Sequence, residues 1–583
     1  MSLEIKNLSI QYVRGGQPVG APALSEISLK VEKGEKFGIL GPTGSGKTTL
    51  SLAINGFFPE EIPAIIKGDI FVNSIKVGSV KMAELKQHIG YVFYNPDYSL
   101  VELFVEDDIA FGPSNLNLSA KEIQNRVNFA IEVCRLKGYE KRKTYDLSGG
   151  ETQAVAIAGL IAMRTPIMVL DEPITMLDPI GKDQVFNTLN ILNKEHGVTI
   201  ILTESGNDIE YFAKFVDRIA VLYKGRILKV GPTKEILSDE DLLMKVGIEP
   251  PPLTKFFKAQ APLTVEEAVK IVGDLIRANK LIFKKEEKKL SGEKSGETLS
   301  FKRSGQEPLI IVKNVHHIYP PNIHALKGIN LEIYPGERVA IIGQNGSGKT
   351  TLALHLVGLL KPTNPDAKII VSGIEVSSKK TNLIDVIKHI NYAFQNPDSQ
   401  LSQDDVWNEM TYGLKLLNFP PEEIVKRAEE ALKMFNLLEL KETGITQLPL
   451  SAKRRLTVAS LIALGTRNLI LDEPTNGLDT TEAQTLMGII QKLYNEGRIT
   501  SYILISHNME LVSKYTDRVI VMSQGQILLD GPTRDVFYKP EILKQAYLLP
   551  PQVARFCQSL NIFTEEKLLT VDELKNYIQL INT

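Results

Sequence analysis

A nine-residue glycine-rich loop occurs twice in this chain of 583 residues, first at Gly41–Thr49 and again at Gly343–Thr351. The copies read GPTGSGKTT and GQNGSGKTT and begin at residues 41 and 343, an offset of 302. A second shared run containing Leu-Asp-Glu-Pro begins at residues 167 and 468, an offset of 301. Because the two offsets agree to within one residue, the sequence predicts two collinear copies of one domain.

Each half alternates short apolar runs with helical patterns. Runs such as Phe37–Leu40 and Ile167–Leu170 are continuously apolar, which is typical of parallel strands buried on both faces. A helix-rich insertion follows the glycine loop at roughly residues 95–160 and recurs at roughly 396–460. The predicted fold class is therefore α/β, with a helical subdomain in each half.

Composition shifts and repeated motifs divide the chain further. The predicted parts are a first domain at 1–240, a small extension at 241–276, a charged linker at 277–307, a second domain at 308–546 and a second extension at 547–583. The two extensions share a Pro-Pro pair and a Leu-Thr-Val-acidic-Glu motif, so we expect each to pack at a defined place. The linker is rich in Lys, Gly and Ser, which is typical of solvated chain, and an arm that binds nucleic acid is the alternative for its basic run.

Charge and cysteine content exclude several classes of protein. Lys plus Arg number 67 and Asp plus Glu 69, a net charge of −2, so tight binding to nucleic acid would need a local basic patch. Cys134 and Cys557 are the only cysteines and lie far apart, which indicates a reducing compartment and neither a disulfide scaffold nor a zinc site. The N-terminus lacks a signal-peptide pattern, and the apolar runs stop short of the roughly 20 residues that span a bilayer. If the protein works at a membrane, another chain supplies the spanning part.

The pattern Gly-x-x-x-x-Gly-Lys-Thr, after a strand and before a helix, is the phosphate-binding P-loop. Its backbone N–H groups wrap the phosphates, Lys47 or Lys349 reaches the β- and γ-phosphates, and Thr48 or Thr350 ligates magnesium. The predicted ATP-binding residues of the two loops are Gly41, Pro42, Thr43, Gly44, Ser45, Gly46, Lys47, Thr48, Thr49, Gly343, Gln344, Asn345, Gly346, Ser347, Gly348, Lys349, Thr350 and Thr351.

Two adjacent acids end a later apolar strand in each half. Asp171 and Asp472 are predicted to hold magnesium, directly or through water. Glu172 and Glu473 are predicted to orient or polarise the attacking water. A buried strand end seldom carries two adjacent acids without a cation or a reaction to satisfy them.

Leu147–Glu151, with the sequence LSGGE, precedes a helix of small residues in the first half. With this motif between the P-loop and the Asp-Glu strand, the chain resembles the ABC-type ATPases, whose signature is LSGGQ. The resemblance covers both halves and implies two tandem P-loop NTPase domains, each with a RecA-like parallel-sheet core, a helical subdomain and a small C-terminal extension. Ser148, Gly149 and Gly150 are then predicted to bind the γ-phosphate at a helix N-terminus.

The resemblance implies roles for four further residues. Tyr12 and Tyr319 match the aromatic residue that stacks on adenine, although an isolated tyrosine is more often a packing residue. Gln395 matches the glutamine that touches magnesium and water, and His507 matches the histidine at the γ-phosphate. The predicted catalytic residues are Glu473, His507, Gln395 and Glu172, and the predicted metal ligands are Thr48, Asp171, Thr350, Gln395 and Asp472.

The two halves depart from the family pattern at different places. The first half has Tyr94 where the glutamine is expected, and no histidine in Leu202–Asp208, where Glu204 or a neighbour takes its place depending on where a two-residue insertion is put. The second half has Pro449 where the signature serine is expected, which removes a backbone donor. Arg454-Arg455 follow, and we expect these cations to be able to meet phosphate.

In the ABC family two ATPase units pair head to tail, and each ATP lies between the P-loop of one unit and the signature of the other. On that pattern the missing glutamine, the missing histidine and the altered signature all fall in one composite site. The other composite site, built on Lys349 and the signature of the first half, is complete. The resemblance thus implies an intramolecular head-to-tail dimer with one hydrolytic site and one site that holds nucleotide. Glu172 counts against the asymmetry, because it persists in the weaker site.

Acidic and apolar runs follow the Asn-Pro-Asp motif at Val105–Pro113 and Gln403–Gly413. With the Pro-Pro extensions, they resemble the ATPase components of energy-coupling factor (ECF) transporters and of cobalt and nickel importers, here fused in one chain. The resemblance implies ATP and Mg2+ as cofactors and a peripheral protein on the cytoplasmic face of the cell membrane. Its partners would be a membrane-embedded, T-component-like subunit and a substrate-binding membrane protein that takes up a vitamin or a metal ion.

A soluble tandem ABC ATPase acting on ribosomes or nucleic acid is the alternative. It predicts a long basic helical arm between the halves and two intact ATP sites. The linker is short and broken by Gly and Ser, and one site is damaged, so the sequence favours the importer and no nucleic-acid partner is expected.

Overall fold

The computed structural model describes residues 2–116, 118–147, 149–175, 177, 179–284, 306–320 and 322–581. The chain divides into two compact units, Met1–Ile271 and Val272–Thr583. The finer subdivision at residues 240, 276, 307 and 546 stays a prediction, and most of the predicted linker lies outside the described residues.

The first unit contains eleven strands and eleven α-helices among its described residues, the last α-helix continuing past its end. The strands are β1 (Leu3–Arg14), β2 (Gln17–Pro18), β3 (Leu24–Val31), β4 (Lys36–Leu40), β5 (Ala64–Val72), β6 (Ile75–Lys76), β7 (Ile89–Val92), β8 (Ile167–Leu170), β9 (Thr199–Glu204), β10 (Arg218–Tyr223) and β11 (Arg226–Pro232). The helices are α1 (Lys47–Ile54), α2 (Met82–Leu85), α3 (Val105–Ser114), α4 (Ala120–Val133), α5 (Gly149–Met163), α6 (Pro179–His196), α7 (Ile209–Phe215), α8 (Thr233–Ser238), α9 (Glu240–Val246), α10 (Pro252–Phe257) and α11 (Val265–Arg277).

A six-stranded sheet in the order β11-β10-β4-β9-β8-β7 forms the centre of this unit. All its neighbouring strands run parallel except β10 and β11. Every residue of β7, β8 and β9 is buried, which explains why β8 is continuously apolar. A second sheet, with the order β2-β1-β5-β6 and β3 paired to β1, is antiparallel. The α/β prediction is confirmed.

The helices between the glycine loop and β8 pack on one another as the predicted insertion requires. Ile109 of α3, Ile131 of α4 and Ile157 of α5 are buried in one apolar cluster. Ser119 caps α4 by accepting a hydrogen bond from the N–H of Glu122.

The second unit repeats this plan, except that its described residues contain no counterpart of β2 and include one further pair of strands. Its strands are β12 (Leu281–Phe283), β13 (Ile310–Tyr319), β14 (Ile323–Ile333), β15 (Arg338–Ile342), β16 (Lys368–Val371), β17 (Ile374–Glu375), β18 (Ile390–Ala393), β19 (Asn468–Asp472), β20 (Ser501–Ile505), β21 (Arg518–Ser523), β22 (Gln526–Pro532) and β23 (Ile578–Leu580). Its helices are α12 (Lys349–Leu356), α13 (Leu383–Ile387), α14 (Val406–Leu416), α15 (Pro421–Met434), α16 (Leu450–Ala463), α17 (Thr480–Asn495), α18 (Met509–Tyr515), α19 (Thr533–Phe537), α20 (Pro540–Gln545), α21 (Gln552–Leu560) and α22 (Val571–Tyr577). The main sheet has the order β18-β19-β20-β15-β21-β22, and a four-stranded antiparallel sheet has the order β14-β13-β16-β17.

Two short strands at the ends of the second unit pair with each other. β12 runs antiparallel to β23, with Leu281 opposite Leu580. β12 lies within the predicted linker, which the structure describes as far as residue 284 and again from residue 306. No helix among the described residues is both long and apolar enough to cross a bilayer.

Candidate nucleotide-binding sites

In each unit three loops meet at the carboxyl edge of the main sheet. In the first unit β9 lies between β4 and β8, so the glycine loop after β4, the acidic pair after β8 and the loop after β9 are neighbours. In the second unit β20 lies in the same way between β15 and β19. This edge is where parallel α/β sheets bind ligands.

Each glycine loop joins a buried strand to a helix, and its first glycine is required by a close backbone approach. A Cβ built on Gly41 would lie 2.2 Å from the carbonyl oxygen of Leu222, and one on Gly343 the same distance from that of Met522. Gly46 has a φ of +104° immediately before α1, a conformation that only glycine adopts at little cost. These constraints hold the loop backbone in a fixed shape at the start of the helix.

The predicted P-loop lysines fold back over their own loops. Lys47 Nζ donates to the carbonyl oxygens of Gly41 at 2.7 Å and Pro42 at 3.1 Å. Lys349 Nζ makes the same two bonds, to Gly343 at 2.7 Å and Gln344 at 2.9 Å. Both lysines are buried, so a charged ammonium group stands at the place where the P-loop pattern predicts phosphate.

The loops also contain polar atoms that fit a phosphate ligand. Ser45 Oγ and Ser347 Oγ are buried and lack a hydrogen-bond partner within the described part of the chain. A buried hydroxyl without a partner is costly, and a phosphate oxygen would satisfy it. With the helix N-terminus and the lysine, the residues of both loops therefore fit a nucleotide phosphate.

Each predicted magnesium pair lies at hydrogen-bond distance. Thr48 Oγ1 donates to Asp171 Oδ2 at 2.7 Å, and Thr350 Oγ1 donates to Asp472 Oδ2 at 2.8 Å. Burial raises the pKa of the Asp472 carboxyl, while hydrogen bonds from its neighbours oppose that shift. A carboxylate and a hydroxyl so close together offer the oxygen ligands that magnesium prefers, so the residues present fit the ion.

A tyrosine in each unit supports the magnesium aspartate. The Tyr91 hydroxyl donates to Asp171 Oδ2 at 3.3 Å, and the Tyr392 hydroxyl donates to Asp472 Oδ2 at 2.5 Å. Burial is the main reason that the pKa of both tyrosines is raised, so both stay protonated donors. Sequence reasoning missed these residues, although their repetition at an offset of 301 was a usable signal.

The glutamates that follow the aspartates adopt the same unusual backbone conformation. Glu172 and Glu473 both have a φ of +46°, in the left-handed region that non-glycine residues rarely adopt. Strain of this kind concentrates at functional sites. It holds the two carboxylates at the sheet edge in the same way in both units.

The surroundings of the two glutamates differ. Glu473 Oε1 lies 3.5 Å from His507 Nε2, so the structure brings together two of the three predicted catalytic residues of the second unit. Glu172 Oε1 lies 3.4 Å from Lys47 Nζ, and its Oε2 accepts a hydrogen bond from the Ser205 hydroxyl, which stands in the place of the histidine, at 3.1 Å. Burial raises the pKa of Glu172, and the Lys47 ammonium opposes that shift.

Strand register identifies the residue that replaces the histidine. Leu40 of β4 is opposite Glu204, and in the second unit Ile341 of β15 is opposite Ile505, one residue before Ser506. Leu40 corresponds to Ile342, so Glu204 corresponds to Ser506 and Ser205 to His507. The two-residue insertion therefore follows Ser205. Sequence reasoning left this position open, and the pairing of the strands decides it.

Two more residues of β9 change the chemistry of the first site. Thr203, where the second unit has Ile505, donates its hydroxyl to Asp171 Oδ1 at 2.5 Å and accepts the N–H of Glu172 at 2.9 Å. Glu204 is 2% exposed, and its burial, with help from the charges of Asp208 and Glu172, raises its pKa to about 8. The first unit thus carries a buried acid where the second has a serine.

The remaining predicted residues lie near these sites. The Tyr12 hydroxyl lies 3.0 Å from Thr49 Oγ1, and the Tyr319 hydroxyl lies 3.4 Å from Thr351 Oγ1, which places both tyrosines beside the helix that follows the P-loop. Gln395 is exposed just after β18. Adenine stacking and the contact of Gln395 with magnesium stay predictions.

The signature region differs between the units as the sequence indicates. Ser148 lies outside the described residues, and Gly149 and Gly150 begin α5. Pro449 stands at the N-cap of α16, where its side chain makes no capping hydrogen bond.

The arginines after Pro449 have partners within their own unit. Arg454 donates to the carbonyl oxygens of Gln395 and Asn476, and Arg455 donates to that of Phe435 at 3.0 Å. Their guanidinium groups tie loops of the second unit together, so the expectation that they are available to phosphate is not supported.

The chain matches the family described as ABC transporter at residues 24–175 and again at 326–476. The chain belongs to the ABC transporter family. An ABC transporter ATP-binding protein of Methanosarcina acetivorans is 37% identical, over 96% of this chain and 91% of the relative. An ABC transporter ATP-binding protein of Caldanaerobacter subterraneus subsp. tengcongensis is 35% identical, over 98% of this chain and 97% of the relative. The family match and both relatives confirm the two tandem ABC ATPase domains.

One solved structure covers a single ATPase unit. It is cbiO1 from Clostridium perfringens, described as part of the ABC transporter complex cbiONQ. It is 31% identical to this ABC ATPase over 44% of the present chain and 100% of its own, with a TM-score of 0.38.

Proposed function

We propose that this ABC ATPase is the ATP-hydrolysing subunit of an ECF-type importer, bound to the cytoplasmic face of the cell membrane. It energises the uptake of a vitamin or a metal ion through a separate membrane subunit. The second unit provides the hydrolytic site, and the first provides a site that holds nucleotide. The head-to-tail pairing of the two units is part of this proposal.

The observation that carries the proposal is the difference between the two glutamates. In the second unit Glu473 lies 3.5 Å from His507, which gives a carboxylate beside an imidazole that can hold or move a proton. In the first unit Ser205 takes the place of the histidine, and Glu172 is held between Lys47 and two hydroxyl groups. A serine hydroxyl cannot take up and release a proton near neutral pH as an imidazole can, so the residue beside Glu172 is less suited to assist an attacking water than the residue beside Glu473.

Magnesium supplies charge neutralisation at the phosphates, with Thr350 and Asp472 to hold it in the second unit. Lys349 and the loop N–H groups bind the phosphates, and Glu473 with His507 orients the attacking water. In the first unit Thr203 occupies the second oxygen of Asp171, which favours binding without turnover.

Trapping with vanadate tests this asymmetry. An azido-ATP analogue, vanadate and Mg2+ are added to the intact protein, and labelled peptides are identified after irradiation. We expect vanadate-dependent label in peptides of the second unit, around Tyr319, and vanadate-independent label around Tyr12 of the first. Equal vanadate-dependent labelling of both units would contradict the proposal.

Docking on a membrane subunit is supported by an apolar segment of the first unit, defined as Tyr98, Val101, Leu103 and Phe111. Tyr98 is 75% exposed, Val101 64%, and the other two about half. Exposed apolar segments mark interaction sites, and this one follows β7, the strand next to β8, closely in sequence. The corresponding residues of the second unit are Ser399, Ser402, Asp404 and Tyr412.

Co-purification tests the membrane partner and its rival. The tagged protein is purified from detergent extracts of its own cells, and Tyr98→Ser with Val101→Ser is compared with Met244→Ser, a 77% exposed residue of α9. We expect small hydrophobic membrane proteins with the parent and with Met244→Ser, and their loss with the double variant. Sedimentation with ribosomes and no membrane protein would favour the soluble alternative.

A further inference from the structure

The loop after β9 is built differently in the two units, and the difference lies beside Ser205. Glu204 Oε1 accepts the N–H groups of Gly206 at 2.7 Å and of Asp208 at 3.1 Å. Gly206 has a φ of +110°, which lets the chain close this turn with the two inserted residues. The buried Glu204 thus fixes the path of the backbone that follows Ser205.

Asp208 then connects this loop to a different helix. Its carboxylate forms an ion pair with Lys182 Nζ on α6, and the side chains are only 13% and 10% exposed. Asp208 stands at the N-cap of α7, yet its side chain makes no capping hydrogen bond. The ion pair therefore takes the carboxylate away from its ordinary local role.

The second unit provides a natural comparison. Asn508 corresponds to Asp208, and it does cap its helix, by accepting the N–H of Leu511 at 2.9 Å. Lys182 corresponds to Ala483, which cannot form an ion pair. In that unit His507, rather than a serine, faces the glutamate.

We propose that Lys182 and Asp208 are positioning residues of the first ATP site: their buried ion pair anchors the loop after β9 to α6 and holds Ser205 against Glu172. The loop that carries Ser205 beside Glu172 is thereby fixed in one arrangement, and the first site releases nucleotide slowly. This inference rests on the proposed function, in which the first site holds nucleotide.

The geometry supports the anchoring role of the Lys182–Asp208 pair in two ways. A buried ion pair has little water to exchange with, so it resists opening more than an exposed pair does. Ser205 is three residues before Asp208 and is joined to it through a turn whose N–H groups are held by Glu204, so the anchor is transmitted over a short, bonded segment.

The test measures release of a fluorescent ATP analogue from the first site alone. All variants carry Lys349→Ala, which removes the phosphate-binding lysine of the second unit. Release from the parent is compared with release from Lys182→Ala combined with Asp208→Asn, the pair found in the second unit. Because the loss of a buried ion pair frees the loop, we expect release to become about tenfold faster.

Three further variants separate positioning from folding. Lys182→Arg retains the cation and is expected to retain slow release, whereas Lys182→Met is expected to release fast. Lys214→Ala removes the more exposed Lys214–Glu210 pair of α7 and should leave the release rate unchanged. Thermal melting of each variant shows that the comparison is made on folded protein.

The release rates distinguish a failure of the proposed ion-pair anchor from a failure of the proposed function. If the parent retains nucleotide and the double variant releases it at the same rate, the anchor is refuted while the proposed function stands. If the parent retains no nucleotide in its first site, both fail.

Discussion

Glu204→Gln makes the stability of the first unit less dependent on pH. The Glu204 carboxyl is buried, and its pKa is raised from 4.5 to about 8, mainly by burial. Because the folded pKa lies above the unfolded one, the stabilising contribution is complete below pH 4.5 and is lost as pH rises through about 8. The unfolded chain ionises at lower pH than the folded one in that interval.

The magnitude follows from the same shift. Each pH unit in the interval costs about 1.4 kcal/mol, so between pH 5.5 and 7.5 the first unit loses roughly 3 kcal/mol that the glutamine variant does not lose. Glutamine keeps an oxygen that can accept the N–H groups of Gly206 and Asp208, so the turn is preserved.

Urea unfolding at the two pH values measures this effect. Far-UV circular dichroism follows both units, and fluorescence of Trp407, the only tryptophan and a residue of the second unit, follows that unit alone. We expect the variant to flatten the pH dependence of the first unit and to leave the Trp407 transition unchanged. Equal pH slopes for parent and variant would refute the assignment of a raised pKa to Glu204.

Three further predictions concern single positions. In a steady-state phosphate-release assay, His507→Ala should lower the ATPase kcat by about 100-fold and Ser205→Ala by less than about twofold, because only the histidine can move a proton near neutral pH. Equal effects of the two variants would count against the asymmetry between the sites. In urea unfolding, Lys182→Met should destabilise the first unit by about 3 kcal/mol, because it leaves the Asp208 charge buried and uncompensated. Lys182→Ala combined with Asp208→Asn should cost less than about 1 kcal/mol. A greater loss of stability in the double variant than in Lys182→Met would contradict a buried ion pair. Gly41→Ala should abolish nucleotide retention in the first site, because its Cβ would lie 2.2 Å from the Leu222 carbonyl oxygen. Its control, Gly159→Ala, lies in α5 with open space around it and should stabilise the protein by up to about 1 kcal/mol. Nucleotide retention by the Gly41→Ala variant would show that the loop can adapt.

Local motifs account for what the sequence predicts well. The glycine loop and the acidic pair are each contiguous, and their chemistry depends on backbone shape that the motif itself encodes. The structure places Lys47 against its own loop and Thr48 against Asp171, while their roles toward phosphate and magnesium stay predictions.

Non-local pairing accounts for what the sequence leaves open. Ser205 could be assigned only from the register of β9 on β4, because an insertion next to it makes several alignments equal. Lys182 and Asp208 are 26 residues apart, and nothing in the local pattern of either indicates that they meet. Arg454 looks available from its position after Pro449, yet it donates to carbonyl oxygens within its own unit.

The central claim is that the second unit carries the hydrolytic site. Steady-state ATPase activity of Glu473→Gln and Glu172→Gln, each a nearly isosteric change at the same backbone conformation, tests it most directly. The account predicts a loss of about 100-fold or more for Glu473→Gln and less than about threefold for Glu172→Gln. Equal losses in the two variants would contradict it.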